Sequence, residues 1–265
     1  MTASTVTRRR HPAVLLALLV VALVAVGGVY SLVSSGGRAT ADTRSYTASD
    51  VAAGSRLFKA NCSTCHGQQA QGTTAGPSLV GVGAASVDFQ VGTGRMPLAG
   101  PGVQAKRNSH VAYSDEQIRQ LSAYVDSLGP GPGVPDEKYA SGVGGDVARG
   151  GEIYRVNCAM CHNFAGSGGA LTRGKFAPPL KNIEGKHIYE AMLTGPQSMP
   201  VFDDANIDPQ AKRDIIAYLH QLDQRNNYGG HSLGNLGPVA DGFFLWFFAI
   251  PLMIGAAVWL GRKAA

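Results

Sequence analysis

Two pentapeptides, Cys62-Ser63-Thr64-Cys65-His66 and Cys158-Ala159-Met160-Cys161-His162, hold all four cysteines of the chain. Each is a C-x-x-C-H pattern, whose thiols can form thioether bonds to the two vinyl groups of a haem while the adjacent imidazole ligates the iron from one face. Two C-x-x-C pairs could also assemble four zinc ligands, but zinc gives no reason for a histidine directly after both pairs. A thioredoxin-like pair would be single and set in a βαβ context, which this chain does not offer. The motifs therefore predict two covalently bound haem c groups, attached through Cys62 and Cys65 and through Cys158 and Cys161, with His66 and His162 as axial ligands.

A haem that only moves electrons has both axial positions filled by protein, and a methionine opposite the histidine raises its potential. Beyond the first motif the candidates are Met96, in Gly94-Arg95-Met96-Pro97, and His110, which stands in a polar stretch; Met96 is preferred. Beyond the second motif stand Met192, His187 and Met199. Met199 precedes Pro200 as Met96 precedes Pro97, whereas Met192 falls in a predicted helix over 186–193, where packing is its ordinary role. Met160 lies inside the attachment motif and is poorly placed to reach the opposite face. Pro77-Ser78-Leu79 and Pro178-Pro179-Leu180 occupy matching places and are expected to hydrogen-bond the ligating histidines.

The elements that must position these groups also come twice. Gly54, Leu57, Phe58 and Asn61 match Gly150, Ile153, Tyr154 and Asn157 at one offset, which makes the middle of the chain an internal repeat. Helices are predicted over 49–60 and 146–156, capped by Ser49 or Asp50 and by Asp146. Glycine inside a helix costs about 1 kcal/mol relative to alanine, so Gly54 and Gly150 call for close approach of another backbone. Amphipathic helices over 114–128 and 208–222, sharing Ala123-Tyr124 and Ala217-Tyr218, are the candidate partners. The boundaries are read as modules at 46–128 and 146–226, with residues 129–145 a Gly/Pro linker and a Gly-rich connection at 229–238.

Both ends read as membrane segments. Residues 13–33 carry no charge and follow Arg8-Arg9-Arg10, as a retained anchor or a signal peptide cleaved near Ala39-Thr40-Ala41. Residues 239–260 form a second span, with Trp246 and Trp259 towards its ends, Pro251 as a kink and Arg262-Lys263 as a basic stop. The positive-inside rule puts both termini in the cytoplasm and the haem modules outside it, so the expected location is the cell membrane, multi-pass. The formal charge of +5 comes from those terminal clusters, and the neutral body excludes a nucleic-acid function.

Each module resembles a class I cytochrome c domain: a helix with glycine and an aromatic, C-x-x-C-H, a Pro-Leu segment, Met-Pro, and a closing helix with tyrosine. The fold implied is all-α, two tandem class I cytochrome c domains flanked by N- and C-terminal transmembrane helices. The whole arrangement resembles the dihaem cytochrome c subunit of the actinobacterial cytochrome bcc (bc1-type) menaquinol reductase complex. That resemblance implies partners: the Rieske iron-sulfur and cytochrome b subunits, and the aa3-type oxidase subunit bearing the copper site. It also implies electron transfer between them within a quinol–cytochrome-c reductase, and no stand-alone catalysis. A membrane-anchored dihaem subunit of another dehydrogenase or reductase shares the parts. A dihaem peroxidase would need an open iron position, against which two Met-Pro pairs argue.

Overall fold

The computed structural model describes residues 12–35, 46–100, 102–224 and 242–264. Arg8-Arg9-Arg10, Ala39-Thr40-Ala41 and the Gly229–Pro238 connection lie outside the described residues. In the first module α2 (Ala48–Asn61), the one-turn α3 (Ser63–His66), α4 (Ala84–Gly92) and α5 (Asp115–Asp126) follow one another. After a short α6 (Glu137–Ala140) the order recurs as α7 (Val147–Asn157), α8 (Ala159–His162), α9 (Gly185–Thr194) and α10 (Pro209–Gln224). Among the described residues the strands are confined to an antiparallel ribbon of two-residue strands, β1 (Gly169–Ala170) with β2 (Phe176–Ala177), too short to leave any period in the sequence.

Local chemistry sets the helix starts. Asp146 caps α7 as expected, accepting from the backbone N–H groups of Ala148 and Arg149. At α2 the cap is Thr47 rather than Ser49 or Asp50. Thr47 accepts from the Asp50 N–H, and the Asp50 carboxylate accepts from the Thr47 N–H at 2.9 Å, a reciprocal capping box. Ser114 and Gln117 make the same box at α5.

Glycine sets the helix crossings. A Cβ on Gly54 would overlap the carbonyl oxygen of Gln120 in α5, and one on Gly150 would overlap that of Asp214 in α10. The propensity penalty of glycine is thus offset by backbone contact that no side chain would permit. The same approach brings Phe58 to 5.2 Å from Tyr124 and Tyr154 to 5.4 Å from Tyr218, both ring pairs tilted by 45°. Around them Ile118, Leu121 and Val125 close one core, and Ile215, Ile216 and Leu219 the other. Each crossing carries an ion pair, in opposite senses: Asp50 of α2 with Arg119 of α5 at 2.6 Å, and Arg149 of α7 with Asp214 of α10 at 3.1 Å. Asp214 is fully buried and also accepts from the Asp146 N–H and from Gln210, each at 2.9 Å.

Residues 129–145 are seated on both modules. The Ala85 N–H donates to the Pro132 carbonyl at 3.0 Å, Gly131 lies against the backbone of Gly83, and Val134 and Ala140 are buried. Gly142 and Gly145 lie against α10. Their composition shows that they cannot extend a helix but carries no sign of these contacts. The modules also touch directly, through α4 and α9, the helices that precede the two Met-Pro pairs. Lys186 donates to buried Asp88 at 2.8 Å, and His187 stands edge-on to Phe89 with ring centroids 6.3 Å apart. Gln104 of the first module pairs with both backbone groups of Phe176, donating to its carbonyl at 2.9 Å and accepting from its N–H at 3.0 Å.

At the N-terminal end α1 spans Pro12–Ser35, apolar over Ala13–Val29. At the C-terminal end Gly242–Lys263 is helical over 22 residues, long and apolar enough to cross a membrane. Pro251 does not break it. A π-helical turn, Leu245–Ala249, precedes α11 (Ile250–Ala264) and lets the helix pass a residue that lacks an N–H.

Candidate haem sites

Each attachment motif is one helical turn. His66 N–H donates to the Cys62 carbonyl at 3.0 Å and His162 N–H to that of Cys158 at 2.9 Å, so Cys, Cys and His fall at i, i+3 and i+4. Residues so spaced share one helix face, which is what two thioether bonds and an iron bond to a single planar group require. All four thiols are free of disulfide. Burial, and then neighbouring Cys65, pushes the Cys62 thiol up; burial, and then Cys161, pushes Cys158 up to about 11. Thiols held protonated are the reverse of the acidified thiol of a disulfide-exchange centre.

The histidines are held from behind. His66 Nδ1 lies 2.8 Å from the Pro77 carbonyl oxygen and His162 Nδ1 lies 2.9 Å from that of Pro178. A carbonyl only accepts, so each Nδ1 carries the proton and Nε2 is left with its lone pair for a metal. Burial lowers the pKa of His162 and the hydrogen bond to Pro178 opposes it; the balance favours the neutral imidazole, the ligating form.

In the second module Cys158, Cys161, His162 and Met199 line a single cavity of about 420 Å³, walled by Leu180, Ile188 and Leu219 among others. A flat apolar group with sulfur, imidazole and thioether donors around it fits this lining. Met192 and His187 line the same cavity. Met192 is buried in the core, and His187 points Nδ1 at Glu190 Oε2, 2.9 Å away. Met160 is 85% exposed. In the first module Met96 and Cys62 pack on the same cluster of Phe58, Val91 and Leu121, while His110 is exposed. Sequence reasoning missed Arg95, Gln104, Lys106 and Arg107, which belong to the first module yet line the cavity of the second. The only signals for them were Arg95 beside Met96 and the Lys106-Arg107 pair further along the same loop.

This arrangement, met twice on crossed helices, defines a chain of two cytochrome c domains. The family described as "Cytochrome c" matches residues 51–129, and that described as "Cytochrome C oxidase, cbb3-type, subunit III" matches residues 145–219. The chain is 43% identical over 229 residues to the cytochrome bc1 complex cytochrome c subunit of Corynebacterium efficiens, covering 81% of this chain and 77% of that one. It is 42% identical over 254 residues to the subunit of the same description from Mycobacterium leprae, covering 93% and 87%. The cbb3-type cytochrome c oxidase subunit FixP of Sinorhizobium medicae is 28% identical over 188 residues, covering 65% and 60%. The chain belongs to the family of cytochrome bc1 complex cytochrome c subunits.

Proposed function

We propose that the chain is the dihaem electron-transfer subunit of a respiratory bc1-type (bcc) complex. It takes electrons from the Rieske iron-sulfur protein, beside cytochrome b, and passes them to the copper-bearing subunit of an aa3-type oxidase. Haem c attached at Cys62 and Cys65 would be held by His66 and Met96, and haem c attached at Cys158 and Cys161 by His162 and Met199. When bound, each haem supplies a one-electron iron couple, and the complex rather than this chain oxidises the quinol. The protein would contribute an imidazole on one side and a thioether on the other, and in the second module a cavity walled largely by apolar side chains.

The observation that carries this reading is the matched pair of histidines, each with Nδ1 fixed by a proline carbonyl and each followed by a Met-Pro. Both axial positions are then met from the protein, which suits an electron carrier and not a peroxidase. Helix Gly242–Lys263 supplies a C-terminal anchor, with α1 as a second span and the haem modules on the extracytoplasmic side of the cell membrane.

Cys158→Ala/Cys161→Ala is expected to halve the covalent haem per chain, assayed on denatured protein as pyridine haemochrome. A full complement in that variant would overturn the assignment of the second site. For the wider role, the chain should co-purify in mild detergent with a Rieske protein and a cytochrome b. Truncation before residue 242 should abolish quinol-driven oxygen uptake in membranes at low concentrations of the released modules. The likeness of the second module to a cbb3-type oxidase subunit favours one other reading, a dihaem subunit of an oxidase. Co-purification with an oxidase core and no Rieske protein would select it.

A further inference from the structure

Besides His162, five basic side chains line the cavity of the second module: Lys181, His187, and from the other module Arg95, Lys106 and Arg107. No carboxylate among the described residues lines it, and none of the three first-module cations forms an ion pair with a described residue. Arg95 is held rather than loose. Its Nη1 donates to Thr93 Oγ1 at 2.6 Å, and its guanidinium lies 4.6 Å from the centre of the Phe89 ring. Arg95 is half-buried and lines the same cavity as Arg107, so two like charges share one wall. Such an arrangement is unfavourable by itself and calls for an anion.

A haem c in this cavity brings that anion. Its vinyl edge is tied to Cys158 and Cys161, and its two propionates leave the ring at the opposite edge. We propose that Arg95, Lys106 and Arg107 of the first module hold the propionates of the second haem, so that the second haem site is completed only by the first module. The proposal rests on the reading of the second motif as a haem site. Arg95 and Met96 are consecutive, so one loop gives a ligand to the first iron and a counter-charge to the second haem. Guanidinium suits carboxylates because its N–H groups form paired, charge-assisted hydrogen bonds.

Lys106 and Arg107 are exposed, so their substitution does not threaten the core. The test is a redox titration of the full chain in detergent, with the two haems assigned from the variant lacking one attachment motif. Removing positive charge disfavours the reduced, more negative haem. Lys106→Gln/Arg107→Gln should therefore lower the reduced-to-oxidised ratio of the second haem by about fivefold at fixed ambient potential and leave the first haem unmoved. Arg107→Lys should restore most of the effect of Arg107→Gln. An unchanged second haem, an equal shift of both haems, or an Arg107→Lys effect as large as that of Arg107→Gln would overturn the proposal. Failure of the underlying reading is separate: a wild-type chain with one covalent haem overturns both.

Discussion

Gly150→Ala is expected to destabilise the second module by about 3 kcal/mol or more, although glycine to alanine in an exposed helix interior stabilises by about 1 kcal/mol. The sign reverses because the added methyl group meets the Asp214 carbonyl oxygen and, at 2.9 Å, the Ile215 nitrogen, backbone atoms that cannot rotate away. The helices must separate, and with them Tyr154 leaves Tyr218 and the buried Asp214 loses its fit to Arg149. Denaturant unfolding followed by far-ultraviolet circular dichroism measures the loss. Gly54→Ala should do the same to the first module, where Gln120 supplies the carbonyl and the Tyr124 Cβ lies 2.9 Å from the added atom. A neutral or stabilising result at either site would mean that the crossing is looser than the backbone contact implies.

Met199→Ala and Met96→Ala should each lower the potential of one haem by on the order of 100 mV and open that iron to carbon monoxide. The thioether stabilises ferrous iron, and alanine leaves either water or a vacant position. Spectroelectrochemistry, with carbon monoxide difference spectra on the reduced protein, reads both changes. The second module is the sharper case, since Met192 and His187 line the same cavity. If Met199→Ala leaves spectrum and potential unchanged while Met192→Ala or His187→Ala alters them, the second axial position belongs to that residue.

The repeat and the two crossing glycines were legible because duplication and backbone contact each leave a local trace. Gly54 and Gly150 stood out for breaking a helical preference in matching places. The proline carbonyls behind His66 and His162 were anticipated from position, and both are within hydrogen-bond distance. The interface between the modules was not legible. Asp88, Lys186 and His187 look like ordinary polar residues of two helices until those helices meet, and Gln104 finds Phe176 across 72 positions of sequence. The contacts of the Gly/Pro connection were hidden for a related reason: composition reports what a segment cannot form by itself, not what it rests on. The cap at Thr47 was missed because Ser49 and Asp50 have equal capping chemistry, and the capping box alone separates them.

The opposed ion pairs at the two helix crossings bear on how a duplicated chain avoids pairing with itself in the wrong order. α2 and α7 are near copies, as are α5 and α10, so a nascent chain could dock the first helix of one repeat onto the last helix of the other. Asp214 distinguishes the partners. Its cation is Arg149, but the residue at the corresponding place in α2 is Ala53, one before Gly54 as Arg149 is one before Gly150. An α2–α10 pairing would leave a fully buried carboxylate without its guanidinium, a penalty of about 3 kcal/mol or more. Repeats are prone to such misassembly, and one charge placed differently in each copy biases the chain toward the correct register before haem is attached.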